Sequence, residues 1–164
     1  MAGRALLFKL NFKNPWHLMA VGFGSGLAPK APGTFGSLAA APLCFLMLLF
    51  CSKPVIAAIA LVVFILGCKA CSEAEKAMGV HDHGGIVIDE FVGMFVTAMT
   101  VPSEHALLGT VTTFVLFRIF DILKPFPVSL ADKKVAGGFG IMLDDVVAAV
   151  YALICNYLLF AFVF

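Results

Sequence analysis

Two pairs of adjacent acidic residues lie at the edges of apolar segments. Asp89 and Glu90 interrupt Ile-Val-Ile-Asp-Glu-Phe-Val-Gly-Met, and Asp144 and Asp145 follow Gly-Gly-Phe-Gly-Ile-Met-Leu. An ionised carboxylate is costly in such surroundings unless it pairs with a cation or binds a metal ion. Adjacent positions on a helix point about 100° apart, so we expect one acid of each pair to face the neighbouring helices. The favourable field at a helix N-terminus is the competing explanation for both pairs.

A third group of charges stands at the end of a later apolar segment. Arg118, Asp121 and Lys124 follow one another at three-residue steps and so share one helix face, and an ion pair within the helix would account for them by itself. We expect Asp121 at the membrane depth of the two acid pairs, so that carboxylates from three helices converge. Oxygen ligands suit Mg²⁺ or Mn²⁺, and neighbouring Arg and Lys suit a phosphate that bridges to the metal. The pattern indicates phosphoryl chemistry at a membrane surface.

A segment rich in glycine and proline, residues 22–37, precedes the first apolar run and contains Thr34 and Ser37. Its backbone amides could bind an anion, and an ordinary helix cap is an equal alternative. The segment carries neither a dinucleotide-binding fingerprint nor a P-loop. The segment predicts a turn beside the acidic residues and no nucleotide-binding site.

The segment His81-Asp82-His83 lies between two apolar runs. We expect both histidines to orient a loop or to contact substrate. Zinc is less favoured, because the spacing from Cys68 and Cys71 to these histidines matches no standard zinc module. Since all cysteines of the chain lie in or beside apolar runs, they predict no disulfide framework.

The elements that must position these residues are apolar helices. The 164 residues are 62% hydrophobic and 13% charged, which excludes an ordinary soluble domain. Because the apolar runs do not alternate with polar residues, they predict an all-helical membrane bundle with about five crossings. The third and fourth crossings reach about 20 residues only by including their charged flanks. The predicted crossings are residues 31–52, 54–68, 91–103, 105–117 and 146–164.

The distribution of positive charge predicts the orientation of this bundle. With a cytoplasmic N-terminus, ten of the 11 Lys and Arg residues lie on the cytoplasmic side and only Lys53 lies outside. The acidic residues collect on the same side, so we expect the active site there. The chain reads as one domain, 1–164, with residues 1–36 as a cytosolic segment and turn and residues 37–164 as the helix bundle. A net charge of +1 gives no sign of nucleic acid binding, and no obligate protein partner is indicated.

Several of these motifs occur together in one order, and in this the chain closely resembles the phosphatidylglycerophosphatase A family. The resemblance rests on Asn-Pro-Trp-His from Asn14, Pro-Gly-Thr-Phe-Gly-Ser-Leu from Pro32, His-Asp-His-Gly from His81, Asp-Glu-Phe-Val-Gly-Met from Asp89, and Lys-Pro-Phe-Pro from Lys124. It also includes Gly-Ser-Gly from Gly24, Phe-Arg before Asp121, and Gly-Gly-Phe-Gly-Ile-Met-Leu-Asp-Asp from Gly137. It implies a Mg²⁺-dependent lipid phosphatase of the bacterial inner membrane. Such an enzyme removes the terminal phosphate of phosphatidylglycerophosphate and leaves phosphatidylglycerol.

The resemblance also implies roles for particular residues. The metal ligands are expected among Asp89, Glu90, Asp121, Asp144 and Asp145. It further implies that Arg118 and Lys124 engage phosphate. The individual roles are our own assignments from the residues. We expect a catalytic group of Asp89, Glu90, Asp121, Asp145, Arg118 and Lys124, and substrate contacts from Lys30, Thr34, Gly36, Ser37, His81, His83, Arg118 and Lys124. Attack by water and formation of an aspartyl-phosphate both remain open.

Two other functions compete with the phosphatase. An ion-coupled transporter would also use buried carboxylates, but it should place them near the middle of the bilayer. A structural membrane subunit would need no glycine-rich turn beside its acidic residues.

Overall fold

The computed structural model describes residues 6–129 and 135–164, and this part of the chain is helical without strands. Within the described residues, six α-helices follow one another: α1 (Pro15–Ala20), α2 (Pro32–Phe50), α3 (Lys53–Met78), α4 (Ile88–Thr97), α5 (Ala106–Leu123) and α6 (Gly137–Phe162). Short 3-10 helices cover Gly22–Leu27, Ala98–Thr100 and Ser103–His105. Four of the α-helices, α2, α3, α5 and α6, are long and apolar enough to cross a membrane. The predicted all-helical membrane bundle is confirmed.

Helix α4 is short and lies at the centre of the bundle. It packs against α2, α3, α5 and α6, and of its ten residues only Asp89 and Val96 are not buried. The chain after α4 reaches the far end of the bundle, where Lys53 Nζ contacts the carbonyl of Val101. The described part of the chain therefore passes through the bundle five times, four times as a long helix and once as a short one.

The third pass does not reach the predicted length of about 20 residues. Ten residues of α-helix rise only about 15 Å, roughly half of a hydrocarbon core. Other helices surround α4 on almost every side, so its length need not match the lipid. The prediction assumed that every crossing helix must match the thickness of the hydrocarbon core, and this requirement does not apply to a helix that lies inside a bundle.

Three of the long helices extend beyond the charge-free segments that predicted them. Helix α3 continues to Met78, where Gly79 with a φ of 75° ends it, and α5 continues to Leu123. Helix α6 already begins at Gly137. Charged side chains on the last turns of α3, such as those of Glu73 and Lys76, are accessible to water and so do not end the helix. Hydropathy located the apolar part of each helix but not its ends.

A polar network joins α4, α5 and α6 in the half of the bundle away from the acidic residues. The fully buried Asn156 donates through Nδ2 to Thr113 Oγ1 at 2.9 Å and accepts from Thr112 Oγ1 at 2.8 Å. Asn156 Nδ2 also approaches the carbonyl of Thr97 at 3.4 Å. Hydrogen bonds of this kind hold helices together where both partners are already in an apolar environment.

Candidate active site

An acidic cavity of about 280 Å³ lies at one end of the bundle. The start of α2, the loop after α3, the start of α4, the end of α5 and the third turn of α6 all contribute to its wall. Its lining comprises Pro32, Gly33, Asp82, Gly84, Ile86, Asp89, Glu90, Asp121, Lys124, Asp144 and Asp145. The structure therefore brings together all five acidic residues that were expected to bind metal.

Glu90 is held from both sides within this cavity. Ser37 Oγ on α2 donates to Glu90 Oε2 at 2.6 Å, and Arg118 Nη1 on α5 donates to both Glu90 oxygens at 2.6 Å. The same guanidinium nitrogen lies 2.8 Å from Asp121 Oδ2. Only 8% of the Glu90 side chain is exposed, so these bonds replace the water that the carboxylate has lost. Three helices are joined through this one carboxylate.

Gly33 leaves the space that Glu90 needs. A Cβ atom at Gly33 would stand 2.2 Å from Glu90 Oε1 and 3.3 Å from Arg118 Nη1. Helix α2 starts at Pro32, so Gly33 lies in its first turn and brings bare backbone against the ion pair. This close approach explains a glycine directly after the proline.

The two acidic residues of α6 lie two turns inside that helix. The prediction that Asp144 and Asp145 stand at the start of the last helix is therefore wrong, because α6 begins at Gly137. Lys124 Nζ donates to Asp144 Oδ2 at 2.8 Å, whereas Asp145 Oδ2 is buried without a hydrogen-bond partner in the described part of the chain. The field of the helix N-terminus falls off within the first turn and does not account for this pair.

Carboxylates outnumber cations around the cavity. Six acidic side chains line it, and Lys124 is the one basic residue of the described lining, with Arg118 behind Glu90 and Asp121. Asp89 Oδ1 accepts a hydrogen bond from the backbone N–H of Glu90 at 3.0 Å. Among the described residues, no three His, Cys, Asp or Glu side chains are already arranged around a single metal position. Instead, Arg118 forms ion pairs with Glu90 and Asp121, and Lys124 forms one with Asp144.

The His-Asp-His segment reaches the cavity through its acid rather than through its histidines. Asp82 lines the cavity, while His81 contacts Glu75 and His83 Nδ1 accepts from the backbone N–H of Gly85 at 3.0 Å. Glu75 Oε1 also accepts from the backbone N–H of Asp82 at 3.4 Å. His81 lies beside Asp144 in a smaller adjoining cavity.

Gly33, Asp82 and Glu75 are among the residues of this site that sequence reasoning missed. Asp82 carried a usable signal, because it is an acid within a motif that was already singled out. The roles of Gly33 and Glu75 depend on contacts with residues distant in sequence, which spacing along the chain does not reveal.

Of the eight residues expected to contact substrate, Lys124 is the one that lines the cavity, and Ser37, His81, His83 and Arg118 lie behind or beside it as described above. The other three, Lys30, Thr34 and Gly36, belong to α2 or to the segment before it. Lys30 is exposed on the approach to α2, and Thr34 is half-buried in the first turn of that helix. Gly36 is buried against Val87, where a Cβ atom would lie 2.8 Å from the valine Cβ. Gly36 therefore allows α2 to approach the start of α4.

The family profile and two of the three relatives described here carry the same name. The family profile of phosphatidylglycerophosphatase A matches residues 18–160. A Haemophilus influenzae protein named phosphatidylglycerophosphatase A is 49% identical over 148 residues, which cover 90% of this chain and 90% of the relative. The Escherichia coli protein of the same name is 48% identical over 142 residues, which cover 87% of this chain and 81% of the relative. A Bacteroides thetaiotaomicron protein, provisionally named a phosphatidylinositol-3-phosphatase, is 37% identical over 142 residues, which cover 84% of this chain and 88% of the relative. No solved structure gives a significant match.

Proposed function

The chain belongs to the phosphatidylglycerophosphatase A family, and we propose that it hydrolyses the terminal phosphomonoester of phosphatidylglycerophosphate in its acidic cavity. The products are phosphatidylglycerol and phosphate. The observation that carries the proposal is the position of this cavity at one end of four apolar helices. A lipid can present its headgroup at that level while its acyl chains stay in the bilayer. The comparisons lend no support to the transporter alternative.

The charge of the cavity supports a requirement for Mg²⁺. A phosphate anion would be repelled by six carboxylates that face only two cations. Oxygen ligands are those that Mg²⁺ prefers, and the buried Asp145 Oδ2 has no hydrogen-bond partner in the described chain. The donor set therefore fits this ion. We propose its ligands among Asp89, Glu90, Asp121, Asp144 and Asp145.

The residues around the cavity have separate roles in the proposed hydrolysis. Mg²⁺ held by these carboxylates would polarise the phosphoryl oxygens and lower the pKa of an attacking water. Lys124 is close enough to Asp144 to share its charge with a phosphate in the cavity. Ser37 and Glu90 fix the guanidinium of Arg118, so that its positive charge stays beside the cavity. An acidic side chain that is not bound to metal accepts the proton of the water.

We place the cavity at the cytoplasmic face of the inner membrane. Lys69 and Lys76 lie on the half of α3 that approaches the cavity, whereas Lys53 begins that helix at the opposite end. This asymmetry follows the rule that positive residues stay in the cytoplasm. Arg4, Lys133 and Lys134, which also contributed to the predicted orientation, lie outside the described residues.

Phosphate release from the purified protein tests the proposed activity and its metal requirement together. We expect turnover of phosphatidylglycerophosphate in mixed micelles with Mg²⁺, loss of turnover with a chelator, and recovery when Mg²⁺ is restored. Equal turnover with and without the chelator would contradict the metal requirement. No phosphate release under any of these conditions would contradict the phosphatase function.

The substitution Asp145→Asn tests whether Asp145 binds metal or has only a structural role. We expect turnover to fall about 100-fold or more. Metal-free thermal stability in detergent should stay equal or rise, because the change removes a buried charge whose Oδ2 has no hydrogen-bond partner in the described part of the chain. Calorimetric titration with Mg²⁺ gives a second measurement that does not depend on activity. Glu104→Gln, at an exposed position at the far end of the bundle, is the matched control and should change neither property. Retained turnover and unchanged Mg²⁺ affinity in Asp145→Asn would exclude it as a ligand.

A further inference from the structure

An apolar groove of about 300 Å³ runs between α3, α4 and α6 on the side of the bundle that faces lipid. We call it the α3–α4–α6 groove. It is lined by Ala57, Ala60, Leu61, Phe64, Val92, Val96, Met99 and Val146. Its volume is within the range of small-ligand sites.

The groove is where the central helix meets the bilayer. Val96 is the one apolar residue of α4 that is not buried, and Met99 in the following 3-10 turn is also half-exposed. The small side chains of Ala57 and Ala60 on α3 leave this face uncovered. Asp89 is the other residue of α4 that is not buried, and it stands seven positions before Val96 on the same face of the helix.

The acidic cavity and the groove therefore follow one another along the bundle. Val92 in the groove comes one helical turn after Asp89, and Val146 comes directly after Asp145. The distance along α4 from Asp89 to Val96 is about 10 Å. One turn before Val146 on α6, Met142 lies against Gly67 of α3, so a flexible thioether packs on a residue without a side chain.

We propose that the α3–α4–α6 groove binds an acyl chain of the substrate lipid while the acidic cavity holds its phosphate. The inference depends on the proposed phosphatase function, since only a lipid substrate has both parts. Chain binding would fix the headgroup relative to the acidic residues, and its binding energy would assist turnover at a distance from the reacting phosphate. A second apolar cavity, lined by Leu7, Phe8, Phe12 and Leu27, receives no residue from the helices that carry the acids, so we favour the groove.

Matched substitutions in α3 test the groove. Ala57→Phe would fill it, whereas Ala58→Phe adds the same side chain at the neighbouring exposed position, outside the groove lining. Val96→Phe fills the groove from α4 and covers the case in which the ring introduced by Ala57→Phe turns toward lipid. Each variant is assayed with dipalmitoyl and with dihexanoyl phosphatidylglycerophosphate in the same mixed micelles.

The expected result is a loss that depends on chain length. Ala57→Phe and Val96→Phe should lower kcat/KM for the dipalmitoyl substrate at least tenfold relative to the dihexanoyl substrate, and Ala58→Phe should leave that ratio unchanged. An unchanged ratio of the two kcat/KM values in both groove variants would overturn the proposal, whether activity is retained or is lost equally on both substrates. Inactivity of the native protein on both substrates would instead contradict the phosphatase function.

If the groove variants do not fold, crosslinking to the native protein tests whether the acyl chain of the substrate lies in the groove. A phosphatidylglycerophosphate analogue with a diazirine in its acyl chain should label peptides that contain Val92, Val96 or Val146. Competition by unlabelled dipalmitoyl substrate should remove this labelling. Labelling confined to other lipid-facing residues, such as Leu107 and Val111 on α5, would overturn the proposal.

Discussion

At the scale of single residues, the site depends on one carboxylate that several parts of the chain hold in place. Glu90 accepts hydrogen bonds from Ser37 and Arg118, and Gly33 leaves room for it. Removing one partner of a buried ion pair typically costs about 3–5 kcal/mol, because the other charge is left without compensation. Activity and stability are therefore linked at Glu90 more closely than at Asp145, whose buried Oδ2 has no hydrogen-bond partner among the described residues.

A methyl group at Gly33 should displace Glu90. We expect Gly33→Ala to lower turnover about 100-fold, because the new Cβ would overlap Glu90 Oε1 and a shift of about 1 Å is enough for such a loss. Gly84→Ala is the matched control, since Gly84 lines the same cavity and a Cβ there meets nothing within 4 Å. Phosphate release by the two variants is the measurement. Equal activities would show that the position of Glu90 does not limit the reaction.

Glu75 should act through the loop that carries Asp82. We expect Glu75→Ala to lower turnover about tenfold, because its carboxylate binds the backbone of Asp82, which has a strained φ of 44°. Glu73→Ala, two positions earlier on α3, removes an exposed ion pair with Lys76 and should have little effect. Measurements of kcat, KM and Mg²⁺ affinity for both variants, with thermal stability, separate positioning of the loop from loss of folding. Indistinguishable kinetics would remove Glu75 from the site.

The sequence predicted the charged residues of the site better than the residues that support them. Asp89, Glu90, Asp121, Asp144, Asp145 and Lys124 all line the cavity, and Arg118 and Ser37 contact Glu90. A charge in an apolar segment is conspicuous because it is costly there. Gly33 is not conspicuous, since its role is to leave space for a residue on another helix.

At the scale of helices, hydropathy predicted which segments form elements but not how each one is used. Helix α4 was expected to be an ordinary crossing, yet it is enclosed by other helices and only ten residues long. Helix α6 starts early enough to place Asp144 and Asp145 in its third turn. Both differences arise because packing against other helices decides where a helix ends, and a single sequence does not display that packing.

The polar network of Asn156 should stabilise the association of α6 with α4 and α5. We expect Asn156→Ala to lower the free energy of unfolding by about 1 kcal/mol, because Thr112 and Thr113 lose their partner in an apolar environment. Mg²⁺ affinity should be unaffected. Thermal unfolding in detergent provides the measurement, with the lipid-facing Leu158→Ala as control. Equal stability of the two variants would show that helix packing alone holds this half of the bundle.

At the scale of the whole molecule, the fold separates a polar end from an apolar remainder. Exposed large side chains such as Leu61, Leu107 and Ile154 cover the helices away from the acidic cavity. That distribution is the reverse of a soluble protein and suits a lipid environment. Composition was enough to predict it, because 62% hydrophobic residues cannot be enclosed within 164 residues.

The proposed orientation of the bundle predicts which loops are accessible from the cytoplasm. In a variant without native cysteines, we expect Lys76→Cys to resist an impermeant thiol reagent in spheroplasts until the membrane is permeabilised. Ser52→Cys, at an exposed position next to the opposite end of α3, should react in intact spheroplasts. The reverse pattern would place the acidic cavity on the outer face.

The enclosure of α4 also bears on how the protein is made. A segment of ten residues that contains two acids is too short and too polar to be retained in a bilayer during synthesis as an independent span. Its final neighbours α5 and α6, including Arg118, leave the ribosome after it. The acidic residues can therefore take up their buried positions only late in biogenesis. A nascent chain that ends before α6 has three of the four described long helices and no assembled site, so the order of synthesis delays activity until the chain is nearly complete.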